Sequence, residues 1–225
     1  MSFWQVTENI LGRLPAPDEG MTEKDLLQDE ARLGIKLPAG LRAFYTHLGN
    51  LDLFMSGYHR FTKPKYWQVH DDKLVFLAEH QAVVYWAVDL NNGTTVYQTQ
   101  TLTDEADWHR EDLELEPFLE AMLYLQCVMA DEDIHAQTQG GYEFFASLDA
   151  AHYQQNVATR HYLNQLEQQC TQIVQSNGLA IFWQPHTILL YFINAQGTPE
   201  EMLLACTKNE ALFDELIDEC GFAQL

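Results

Sequence analysis

Leu74-Val75-Phe76-Leu77-Ala78 and Val83-Val84-Tyr85-Trp86-Ala87-Val88 are two short apolar runs, separated only by Glu79-His80-Gln81-Ala82. Both are rich in β-branched or aromatic residues, a composition that predicts strands. Asn91-Asn92-Gly93 is a hairpin turn signal, and Thr95–Thr99 beyond it reads as a third strand. Three neighbouring strands with short links predict an antiparallel meander. Its two faces are both rather apolar, so helices are expected to cover at least one of them.

Upstream of the meander the period is helical. Phe3, Val6, Ile10 and Leu14 recur at helical spacing near the N-terminus. Thr22 reads as an N-cap, with Met21 and Leu26 placed as a hydrophobic staple, and Gly34 offers a stop. Pro38 suits the first position of a further helix, whose Leu41, Phe44, Tyr45 and Leu48 make one apolar face before Gly49-Asn50. Two helices this close in sequence are expected to pack together.

Downstream, an acidic link leads to a helix opened by Pro117 and running to about Ala130, apolar enough to be buried. Asp131-Glu132-Asp133 and Gln137–Gly141 form the best break in the chain. Beyond it come Tyr142–Leu148, a helix or extended stretch around 149–169, and a turn at Ser176-Asn177-Gly178. Leu179–Trp183 and Thr187–Ile193 then read as strands, and Asn209–Cys220 as a final helix. The expected fold class is α+β, with a central, mostly antiparallel sheet flanked by helices and a C-terminal strand–helix extension. The expected division is residues 1–135 and 136–225, the second being either its own region or part of the same compact domain.

The 225 residues can bury a sizeable core, and 47% apolar with 12% aromatic residues argues against disorder. No apolar run is long enough for a membrane span, and MSFWQVTENILGRL lacks the basic region of a signal peptide. Cys127, Cys170, Cys206 and Cys220 are scattered without a CxxC pair, which fits reduced core thiols and a cytoplasmic location. The formal net charge is −21. Such a field repels nucleic acid and anionic lipid and attracts basic protein. The acidity is uneven: residues 101–150 hold thirteen acids and one base, a net of −12.

Motifs of chemistry are missing. There is no HExxH, no GxxxxGK[ST], no GxGxxG and no GxSxG, and the nine histidines show no ligand spacing. The expectation is a binding protein that is not an enzyme and has no cofactor or metal. One segment stands out, Asp104-Glu105-Ala106-Asp107-Trp108-His109-Arg110-Glu111-Asp112-Leu113-Glu114-Leu115-Glu116, with seven acids around a tryptophan. It reads either as a solvated loop whose last acids favour a helix N-terminus, or as an acidic recognition surface with an aromatic anchor.

Three stretches in order resemble the SMI1/KNR4 (SUKH) superfamily. They are Leu33–Tyr45 with its Leu-Pro and Leu-Phe-Tyr pattern, Val75–Val88 around Glu79-His80-Gln81, and Thr95–Tyr97 followed by Trp108 and Phe118-Leu119. His80 stands where the family usually has Asn, and no Pro precedes Val96. The likeness covers roughly residues 20–130. It implies a mixed fold with a largely antiparallel sheet, and bacterial members are typically immunity proteins that neutralise polymorphic toxins by binding. The expected function is neutralisation of a cognate basic toxin domain, such as a nuclease, through an acidic surface; the alternative is a regulatory or scaffold module that binds cellular proteins. Leu41, Phe44, Tyr45, Trp86 and Leu119 are expected in the core. Expected partner-binding residues are Glu79, Gln81, Asp104, Asp107, Trp108, Glu111 and Asp112.

Overall fold

The computed structural model describes residues 3–103, 105–176 and 178–225. The fold is α+β, built of antiparallel sheets flanked by helices. The chain divides into two compact units, Met1–Glu8 with Arg13–Ile134 and Asn9–Gly12 with His135–Leu225.

Helix α1 (Phe3–Leu11) opens the chain. Helices α2 (Glu23–Leu33) and α3 (Ala39–Leu48) follow, each with legible ends. Thr22 Oγ1 accepts from the Asp25 backbone N–H at 3.2 Å, which satisfies one orphan donor of the first turn. Gly34 ends α2 in the left-handed region at φ 65°, which glycine adopts without steric cost. Pro38 sits one residue earlier than expected, as the N-cap of α3 rather than its first residue. The two helices are tied together: Glu30 Oε1 accepts from Arg42 Nη2 and from the Leu37 N–H, both at 2.5 Å.

After α4 (Asp52–Ser56) come β1 (Arg60–Phe61), β2 (Gln68–His70), β3 (Lys73–Ala78), β4 (Tyr85–Asp89), β5 (Thr95–Thr99) and β6 (His109–Glu114). They form one antiparallel sheet in the order β1-β3-β4-β5-β6, with β2 also paired to β3. The meander expected at 74–99 is thus present, extended by β1 and β2 against β3 and by β6 against β5. Helix α5 (Leu115–Met129) covers the sheet: Phe118 meets Phe76 edge-on at 5.9 Å and lies 6.2 Å from Trp86. Eleven of its fifteen residues are buried, so it is apolar almost all round. Leu41, Phe44, Tyr45 and Leu119 are fully buried as expected, whereas Trp86 is half-buried.

Helix α6 (Glu132–Gln137) spans the division between the two units, within the stretch that reads as the best break in the chain, and the elements after it belong to the second unit. Then follow β7 (Phe144–Asp149), α7 (Ala150–Gln155), α8 (Val157–Glu167), β8 (Thr171–Ser176), β9 (Leu179–Gln184), β10 (Thr187–Ile193), β11 (Pro199–Thr207), α9 (Glu210–Asp218) and β12 (Ala223–Gln224). Their sheet runs β12-β7-β11-β10-β9-β8, antiparallel throughout. Asp149, Asn156 and Asn209 cap α7, α8 and α9 with their side chains. Leu148, Leu189, Tyr191, Leu203, Leu163 and Leu216 belong to the core of this unit. The turn expected at 176–178 includes Asn177, which lies outside the described residues.

Candidate functional site

Only the first part of the acidic stretch is a link, with residues 105–108 outside any helix or strand. Residues 109–114 pair with β5 as the last strand of the first sheet, with Gln98 opposite His109 and Tyr97 opposite Arg110. As an edge strand it has one side of its backbone unpaired within the sheet. Of its side chains, Glu111, Leu113 and Glu114 are half-buried, while His109, Arg110 and Asp112 are exposed. Asp112 is exposed, whereas Glu111 is half-buried and accepts the indole N–H of Trp86 at 2.7 Å. Burial pushes the Glu111 carboxyl above the usual carboxylate range, against the lowering effect of the Trp86 hydrogen bond.

Asp107 is exposed, with its carboxylate 3.4 Å from His109 Nε2. Trp108 is half-buried, and Lys73 Nζ lies 5.6 Å from its ring centroid. Asp104 lies outside the described residues. Beside this edge is a cleft of ≈ 330 Å³ whose walls include Gln98, Thr101, Glu105, Asp107 and His109.

Glu79 and Gln81 are placed elsewhere on the same sheet, in the loop between β3 and β4. Glu79 N–H donates to the Val84 carbonyl and Ala82 N–H to the Glu79 carbonyl, each at 2.8 Å, which closes the loop. Ala82 takes φ 58° there. The Gln81 side chain is exposed, but its backbone N–H donates to Glu79 Oε2 at 2.8 Å. Glu79 Oε1 meets His80 Nδ1.

A third residue joins this pair that sequence spacing did not single out. Arg60 is paired with Ala78 across β1 and β3, so His59 and Glu79, each one step further, flank the same end of the ladder. His59, Glu79 and His80 bring one ligand-type atom each to within 4.8 Å of one another. His59 is buried and packed among rings, 4.6 Å from Tyr58 and 5.2 Å from Trp86, while Tyr58 stacks on His80 at 4.5 Å. Burial holds the His59 imidazole down to about pKa 4, opposed by the nearby Glu79 charge.

The backbone beneath is fixed from α5. Gln126, fully buried, accepts from the N–H groups of Tyr58 and His59 at 2.9 and 2.7 Å. Its amide donates to the carbonyls of Phe54 and His59 at 3.0 and 2.7 Å. One helical side chain thereby satisfies four backbone groups of the α4–β1 segment.

The site therefore has two parts: an acidic edge with a cleft, and a His-Glu-His cluster in an aromatic setting. Trp86 touches both, through Glu111 and through His59. No protein-family model, curated protein or solved structure matches the chain. The fold class is thus what is shown, α+β with helix-flanked antiparallel sheets. No helix among the described residues is long and apolar enough to cross a membrane.

Proposed function

We propose that the chain is a non-catalytic protein-binding module of the SMI1/KNR4 immunity type, which neutralises a basic toxin domain by capping it. The observation that carries this reading is the edge strand β6, whose solvent side and adjoining cleft present Glu105, Asp107 and Asp112. Exposed carboxylates at a rim speed encounter with a basic partner and select against acidic ones. The unpaired backbone of an edge strand can add main-chain hydrogen bonds to an extended segment. The resemblance over residues 20–130 supplies the toxin as the kind of partner, and the concentration of acid in residues 101–150 supplies its charge.

The test has two stages. Affinity purification from the native host under low salt identifies the partner, and co-expression asks whether the chain relieves its toxicity. The variant Glu105→Gln/Asp107→Asn/Asp112→Asn is then compared with wild type. Weaker binding, mainly through slower association and with a flatter salt dependence, supports the acidic face. Equal affinity and equal salt dependence would remove it as the binding surface. A partner that is bound without any relief of toxicity would replace neutralisation by a scaffold role.

A further inference from the structure

We infer that His59, Glu79 and His80 form a binding site for a first-row transition dication, with Zn²⁺ the best match to the donors. The inference is independent of the toxin reading and goes beyond it.

Three observations converge. The first is convergence in space from separate segments: β1 and β3 register His59 beside Glu79, and His80 follows directly, with donor atoms within 4.8 Å of one another. The second is an unmet group. His59 is only 8% exposed, and its Nδ1 is buried without a hydrogen-bond partner. A buried polar atom in that state calls for an explanation such as an ion. The third is orientation of the donors. Glu79 Oε2 is held by the Gln81 N–H at 2.8 Å, which leaves Oε1 for the cluster. The His59 backbone is gripped on both its N–H and its carbonyl by Gln126. The Gln81 bond is the kind of outer support that pre-sets ligand geometry at metal centres, and Gln126 fixes the backbone from which the His59 ring projects.

The donor set decides the ion. Two imidazoles and one carboxylate suit Zn²⁺ and its transition-metal neighbours, whereas Ca²⁺ and Mg²⁺ take oxygen ligands. Zn–N and Zn–O bonds of about 2.0–2.2 Å require donors closer together than the outermost here, and side-chain rotation supplies that change. Glu79 Oε1 meets His80 Nδ1, so binding requires His80 to turn from Glu79 and the ion to replace their direct contact. Three protein ligands leave a coordination position for water.

The experiment uses the full chain stripped of metal with a chelator and titrated with Zn²⁺ against a chromogenic indicator. Co²⁺ serves as the spectroscopic probe, and Mg²⁺ as the control. The expected result is one equivalent of Zn²⁺ bound at micromolar affinity or tighter, with Co²⁺ visible bands of N/O ligation. Glu79→Gln and His80→Gln should each weaken binding at least tenfold. These two are chosen because both side chains are partly exposed, so folding survives, as circular dichroism would verify; the buried His59 is left intact. No binding at micromolar concentration overturns the inference. So does binding that persists unchanged in both variants, which would place the ion on other histidines or on cysteine thiols.

Discussion

Trp86 donates its indole N–H to Glu111 at 2.7 Å, so one carboxylate of the acidic stretch faces inward. Its neighbour Asp112 faces water. Two adjacent acids on one strand therefore do different things, one holding the sheet to its aromatic lining and the other available to a partner.

Glu111→Gln keeps an acceptor for Trp86 and removes a charge that burial disfavours. Because burial raises the folded-state pKa above the ordinary value of 4.5, ionisation at neutral pH costs folding free energy, and the cost disappears once pH falls below 4.5. The variant should therefore be more stable than wild type at pH 7, and the gain should shrink towards pH 4. Glu111→Leu should instead lose about 1–3 kcal/mol by orphaning the indole N–H. Urea denaturation at the two pH values measures both.

Gln126→Met conserves approximate volume while removing all four hydrogen bonds to the α4–β1 segment. Each buried backbone group left unpaired costs about 1–3 kcal/mol, so a loss of about 3 kcal/mol or more is expected. Chemical denaturation gives the loss. Hydrogen exchange at Tyr58 and His59 should accelerate more than exchange elsewhere in the unit.

Thr22→Ala removes the side-chain cap of α2 and should cost about 1 kcal/mol. Gly34→Ala forces a Cβ into the left-handed region and should cost a similar amount, about 1 kcal/mol. The sites are at opposite ends of one helix, so the double variant should be close to additive in a denaturant titration.

Thr207→Val tests the second unit. The Thr207 hydroxyl, fully buried, pairs with Thr187 Oγ1, donates to the His186 carbonyl and accepts from the Asn209 N–H, each at 3.0 Å. Replacing it with an isosteric methyl should cost about 1–3 kcal/mol in thermal or chemical unfolding.

The elements that could be read from sequence are those whose local signals agree with their tertiary setting. Thr95–Thr99 is the strand expected, and Thr22 and Gly34 bound α2 as their cap chemistry requires. Strand β6 was hidden because His-Arg-Glu-Asp-Leu-Glu has weak β-propensity; pairing to β5 decides its conformation, and solvent on one side tolerates its charges. Strand β11 was hidden behind Pro199-Glu200-Glu201, although pairing with both β7 and β10 places it inside its sheet. Glu79 was singled out, but His59 was not, because the two lie twenty positions apart and meet only through a two-residue strand. The legible half of the cluster is Glu79-His80 in the short link between two strands, whereas the two-residue strand that brings His59 beside it has too little pattern to be read.

The charged rim of β6 bears on how copies of this chain behave when crowded. A bare strand edge is a template for joining another edge, and such joining leads to aggregation. Mutual repulsion between exposed Asp107 and Asp112 on adjacent molecules opposes that joining at every encounter. The same carboxylates that would greet a basic partner should thus also disfavour edge-to-edge joining of copies. Neutralising them should lower the concentration at which it stays dispersed, and saturating them with a basic partner should not, because the partner covers the edge.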